Sequence, residues 1–234
     1  MKKMTAVAAA GLTAISLSVA LVGCGSKTET KTSTSTSTST STSTSTSTST
    51  AASSSPTQTA GPNKTIQDYL KENNIQETAV HRGDAGSPNI DLPTPPDWSD
   101  AGQQTPEWAY EAIVFDKPQD PTDPPSIIAL VSKLTGNVDP AQILALAPGE
   151  LKNLPQFEAM GDGSKSTLSG FDAFQLGGTY VKDGKKRVIA QKTVVIPGSD
   201  GLYVLQMNAD ALDGQEAPLM DATGVIDDKT TITP

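Results

Sequence analysis

The 234-residue chain contains one cysteine, Cys24, and one histidine, His81. Aromatic residues make up only 4% of it, and Lys and Arg (17) are outnumbered by Asp and Glu (26). Each shortage excludes something. With a single thiol there is no disulfide framework and no multi-cysteine metal site, so a folded region must rest on core packing. With a single histidine, a Ser-His-Asp arrangement would have to be built on His81, and no G-x-S-x-G elbow occurs in the chain. His81-Arg82-Gly83-Asp84 reads as a strand end and turn, so a surface histidine is expected there. The deficit of basic residues argues against nucleic acid as a partner and against adhesion to anionic lipid through the protein surface.

Long apolar runs are also scarce, with one exception at the start. Lys2 and Lys3 precede an apolar stretch from Ala6 to Val22, the layout of a secretory signal peptide. The stretch is short for a permanent span and is interrupted by Gly11, Thr13, Ser16 and Ser18, which favours a cleaved leader over an anchor helix. It ends in Leu21-Val22-Gly23-Cys24, which resembles the bacterial lipobox, where a diacylglyceryl group is added to the thiolate and a peptidase cuts between the residues matching Gly23 and Cys24. Only a thiol is nucleophilic enough for the thioether, and small residues suit the cleavage site. Lipidation of Cys24 also accounts for an unpaired cysteine in an exported protein. Two or more acyl chains would anchor it durably, at about 0.8 kcal/mol per buried CH₂. Removing residues 1–23, with their two lysines, takes the formal charge from −9 to −11.

Residues 24–63 form the next unit, a stretch made mostly of Ser, Thr, Ala, Gly and Pro with strict Ser-Thr alternation from Thr32 to Thr50. Such a segment has nothing to bury and reads as a tether, and it invites O-glycosylation. As a coil it would span about 35 Å, from roughly 5 to 6 Å times the square root of its length.

Residues 64–234 suit one domain. Thr65 to Asn73 places Ile66, Tyr69 and Leu70 at helical spacing behind a Thr65…Asp68 capping box. Thr78–Arg82 and Ile90–Leu92 read as short strands, and Trp108–Phe115 as a longer one with Trp108, Tyr110, Ala112 and Val114 on one face. Ser126–Leu134 is apolar at spacings that fit either helix or strand. Asp139 followed by Pro140 is a helix start, and that helix should end by Pro148. Strand-like runs follow at 156–160, 166–176, 177–181, 186–196 and 201–211, with hairpin signals at Asp183-Gly184 and Ser199-Asp200-Gly201. Ala217–Ile226 closes the series as an amphipathic helix. Helices around a central meander indicate an α+β domain with an antiparallel sheet.

Candidate sites are few. Asp116, Asp120 and Asp123 match no EF-hand spacing and sit in a stiff loop with Pro118, Pro121, Pro124 and Pro125. Gly177-Gly178 precedes no helix, so it does not make a phosphate loop and reads as a bulge or a close approach to the backbone. Most aromatics should be core, which leaves Trp98, Trp108 and Tyr110 as candidate ligand-binding residues, Trp98 foremost because it follows a proline-rich turn and would sit at a groove mouth. No catalytic residue, metal or cofactor is assigned.

Several stretches together carry a family resemblance: the lipobox, the Ser/Thr tether, TIQDYL at 65–70, IDLPTPPDW at 90–98, WAYEAIVFDKP at 108–118 and FDAFQLGGTYVKDGKKRVIAQKTVVIP at 171–197. They resemble the LpqN/LpqT lipoproteins of mycobacteria and related actinobacteria over essentially the whole chain. The resemblance implies a Mog1/PsbP-like α/β/α sandwich with no known catalytic residues. It also implies an extracytoplasmic, lipid-anchored place at the cell membrane, and a role in binding or moving trehalose mycolate glycolipids with an envelope lipid transporter. The alternative is a surface-exposed or released virulence factor that binds another protein, for instance a host protein. A groove would favour the first reading and a convex domain without one the second.

Overall fold

The computed structural model describes residues 61–234. The signal peptide, the Gly23/Cys24 lipidation site and most of the tether lie outside the described residues.

The chain opens with α1 (Ile66–Glu72), held by the anticipated capping box: Thr65 N–H donates to Asp68 Oδ2 at 3.0 Å and Asp68 N–H to Thr65 Oγ1 at 3.1 Å. Four strands follow, β1 (Gln76–Val80), β2 (Asn89–Asp91), β3 (Trp98–Asp100) and β4 (Glu111–Phe115). The strand expected from Trp108 begins only at Glu111, because Trp108 and Ala109 belong to a turn closed by the Ala109 N–H on the Pro106 carbonyl. The ambiguous segment is a strand, β5 (Ser126–Thr135), hydrogen-bonded on both sides. Two short helices come next, α2 (Pro140–Leu146), N-capped by Asp139 as expected, and α3 (Pro148–Lys152). The helical region does not end at Pro148 as expected; that proline instead occupies the first turn of α3, where its missing N–H costs nothing.

The remainder is a meander: β6 (Glu158–Ala159), β7 (Ser164–Leu168), β8 (Phe171–Lys182), β9 (Lys185–Pro197) and β10 (Leu202–Leu212), then α4 (Glu216–Lys229) and β11 (Thr231–Thr233). The expected break at 176/177 falls instead at Ser169-Gly170, both with positive φ, so β8 runs unbroken. Asp183 and Gly184 (φ 52° and 74°) make the two-residue turn between β8 and β9, as anticipated.

The main sheet is antiparallel in the order β3-β4-β5-β10-β9-β8-β6, with β1 also on β5 and β7 on β8; β2 and β11 pair separately. Period-2 alternation splits its two faces. Leu202, Val204 and Val195 meet Ile66, Leu70 and Ile143 beneath α1 and α2, while Leu205, Met207, Val194 and Ile196 meet Leu219, Ala222 and Ile226 of α4. The result is the expected α+β arrangement, one antiparallel sheet with helices on both faces. Gly178 marks a close approach, as read from the sequence: a Cβ there would lie 2.5 Å from both the Glu158 carbonyl and the Phe157 ring.

Candidate functional site

Under α4, register leaves a row of small residues. Gly177 of β8 faces Ala190 of β9, and Ala190 faces Ala209 of β10. Nothing in that row reaches up to the helix, and the space is a cavity of about 420 Å³, walled also by Ile127, Met207 and Ile226. That volume lies in the range of small-molecule sites. The neighbouring row, Gln175, Lys192 and Met207, supplies polarity. Lys192 has a side chain only 9% exposed, and its Nζ donates to Asp227 Oδ1 of α4 at 2.6 Å. Gln175, Thr223 and Asp162 add amide, hydroxyl and carboxylate groups around the opening. Met160, 59% exposed, stands on the rim. A smaller cleft shares Ile127, Met207 and Ile226 and extends toward Leu92, Pro93 and Glu111. Burial pushes the Glu111 carboxyl above its ordinary range, and the paired Arg82 guanidinium opposes this.

The three aromatic candidates do not line this cavity. The expectation that Trp98 guards a groove is corrected: it is 6% exposed, and edge strand β3 turns its ring inward against Phe115, with centroids 5.6 Å apart. Tyr110 is buried in the same cluster and its hydroxyl donates to the Ile90 carbonyl at 3.3 Å. Trp108 is half-buried in its turn. Small residues in register, rather than aromatics, make this site, and the sequence signal for it was Lys192, an inward-facing cation between Ala190 and Val194.

Elsewhere the ionisable groups are engaged structurally. Arg187 lies between Asp123 and Asp210, and Asp210 also accepts from the Tyr180 hydroxyl. Burial and that carboxylate push the Tyr180 phenol well above its usual range. The loop aspartates are divided: Asp116 accepts from Ser99, Asp120 from Thr122, and Asp123 from Arg187. His81 is exposed, with Nε2 3.0 Å from the Glu107 carbonyl. Among the described residues no group of three His, Cys, Asp or Glu side chains is placed to hold a metal ion, and no helix is long and apolar enough to cross a membrane.

Fold and cavity define a small α+β domain with an open cavity beneath its last helix, apolar on the floor and polar at the opening. The chain belongs to the family described as probable lipoprotein LpqN, whose profile matches residues 62–233. It is 59% identical over 177 residues to lipoprotein LpqN of Mycobacterium tuberculosis (strain H37Rv), covering 76% of this chain and 77% of that protein. Among solved structures it resembles that of LpqN involved in cell envelope biogenesis of M. tuberculosis, with 59% identity, a TM-score of 0.72 and coverage of 74% of this chain and all of that one. The Saccharomyces cerevisiae Ran-binding protein Mog1p is far more distant, with 16% identity and a TM-score of 0.39 over 66% of this chain and 90% of that one.

Proposed function

We propose that the protein is a non-catalytic lipoprotein of the cell envelope, anchored through acyl chains on Cys24 at the extracytoplasmic face. On this reading it binds trehalose-mycolate-type glycolipids in the cavity beneath α4 and passes them on with a membrane lipid transporter. The observation that carries the reading is the cavity itself, apolar on its floor and polar at its opening. The involvement of the M. tuberculosis relative in cell envelope biogenesis agrees with it.

Size restricts what enters. At about 30 Å³ per water-sized group, 420 Å³ takes roughly fourteen such groups: one sugar ring or one length of acyl chain, far less than a whole mycolate glycolipid. A bound glycolipid therefore straddles the opening. Its apolar part lies on Gly177, Ala190 and Ala209, and its hydroxyls meet Lys192, Asp227, Thr223 and Gln175. The domain then holds its ligand with one end presented, which suits transfer.

Native mass spectrometry of the mature chain with extracted envelope lipids, then with trehalose mycolates, tests this. A discrete complex that disappears in Ala190→Trp supports it, and a bare protein under all conditions contradicts it. Anchoring has its own test. Mass spectrometry of the N-terminal peptide should show a diacylglyceryl-modified Cys24, and Cys24→Ser should leave an uncleaved, unmodified leader.

A further inference from the structure

The helices do not cover the sheet evenly. On the face carrying α1, α2 and α3, the apolar cluster beneath the helices reaches β5 only at Leu134. The rest of that face, from Ser126 to Ser132 on β5 with the β4 and β10 positions in register, carries no helix. It holds Val114, Ile128 and Leu130, all half-buried and packed into none of the three apolar clusters, with Asn208 and Gln206 beside them.

The rim of this open face is acidic. Glu77 accepts from Ser132 at 2.7 Å, Glu150 of α3 from Gln206 at 2.7 Å, and Asp116 from Ser99 at 2.6 Å; none of the three carboxylates has an ion-pair partner among the described residues. Two cations of β9 on this face are already engaged: Arg187 is held between Asp123 and Asp210, and Lys185 lies 3.6 Å from Asp123. Opposite the open face, α4 occupies the corresponding place on the sheet and covers the cavity.

We propose that this open face docks a basic amphipathic helix of a partner protein, which completes the missing half of the helical layer. Its apolar side lies on Val114, Ile128 and Leu130, and its Lys or Arg side chains meet the exposed Glu77 and Asp116. The charge pattern selects this occupant. A second copy of the chain would bring an acidic rim against an acidic rim, and an anionic lipid surface would meet the same repulsion. The stretch from 126 to 132 is about 20 Å long at roughly 3.3 Å per residue, which a helix of about thirteen residues spans at 1.5 Å each. The site lies on the opposite side of the sheet from the cavity, so it stands whether or not the cavity binds glycolipid.

The test is methyl NMR of the mature chain titrated with a synthetic Leu/Lys amphipathic helical peptide, with the Leu/Glu peptide of the same pattern as control. The expected result is saturable shifts at the Val114, Ile128 and Leu130 methyls with the Leu/Lys peptide only. Affinity should fall about tenfold, or roughly 1.4 kcal/mol, both in Leu130→Asp and in Glu77→Lys at an exposed position. Shifts scattered over the acidic surface, or binding unchanged in Glu77→Lys, would overturn the proposal. So would concentration-dependent dimerisation that Leu130→Asp abolishes.

Discussion

Replacing Ala190 by Leu should separate an open cavity from a packed core. Ala190 lies between Gly177 and Ala209 in the row of small residues beneath α4, is half-buried and faces the cavity. Leucine adds three carbons, and at about 0.8 kcal/mol per buried CH₂ full burial would stabilise the domain by about 2.4 kcal/mol. Because the site is partly open, a gain between 0 and about 2 kcal/mol is expected. Two residues along the same face of β10 from Ala209, Ala211 is fully buried and does not border the cavity. There the same change overpacks a filled core and should cost about 1 to 3 kcal/mol. Urea unfolding of both variants measures this, with unchanged m-values as the check that the unfolded state is the same. If Ala190→Leu were destabilised as much as Ala211→Leu, the space beneath α4 would be closed in solution and the site argument would fail.

Other expectations follow from the ion pairs, the sheet and the buried carboxyl. Arg187→Met strands Asp210 and Asp123 at a side chain only 10% exposed, so a loss of about 3 to 5 kcal/mol is expected in chemical denaturation. Restoring part of it with Asp210→Asn in the same chain would identify the stranded charge as the cause. Gly178→Ala forces a methyl against Phe157 and the Glu158 carbonyl and should loosen β6 from the sheet, read as faster amide exchange at Glu158 and Met160. Burial raises the Glu150 carboxyl above its ordinary 4.5. The folded state therefore binds more protons than the unfolded state above pH 4.5, and stability contributed at this site falls as pH rises toward the folded pKa. Glu150→Gln is accordingly expected to be more stable than wild type at pH 7, with the difference shrinking as pH falls through the folded pKa toward 4.5. A difference that grew on acidification would refute the assignment.

Local signals carried the α+β class, the capping box at Thr65, the N-cap at Asp139 and the Asp183-Gly184 turn, because each is decided within a few residues of chain. Ser126–Thr135 could not be resolved that way. Its apolar spacing fits both periods, and only pairing with β4, β1 and β10 makes it a strand. The aromatic reading of the site went astray for a related reason. Trp98 follows a proline-rich turn that could expose it, but pairing of β3 with β4 sets its ring against Phe115. The cavity depends on three small residues from three strands falling into register, a coincidence no single segment reveals. Lys192 was its local trace, a cation on the strand face that also carries Ala190, Val194 and Ile196.

The described residues hold three methionines, and they sit as natural reporters: Met207 on the cavity wall, Met160 on its rim, and Met220 on α4, 71% exposed and outside the lining. Carbon-13 methyl NMR of these three during titration with a trehalose mycolate tests the central claim most directly. Saturable shifts at Met207 and Met160 with Met220 unmoved would place the ligand beneath α4; shifts at none, or equally at all three, would contradict it.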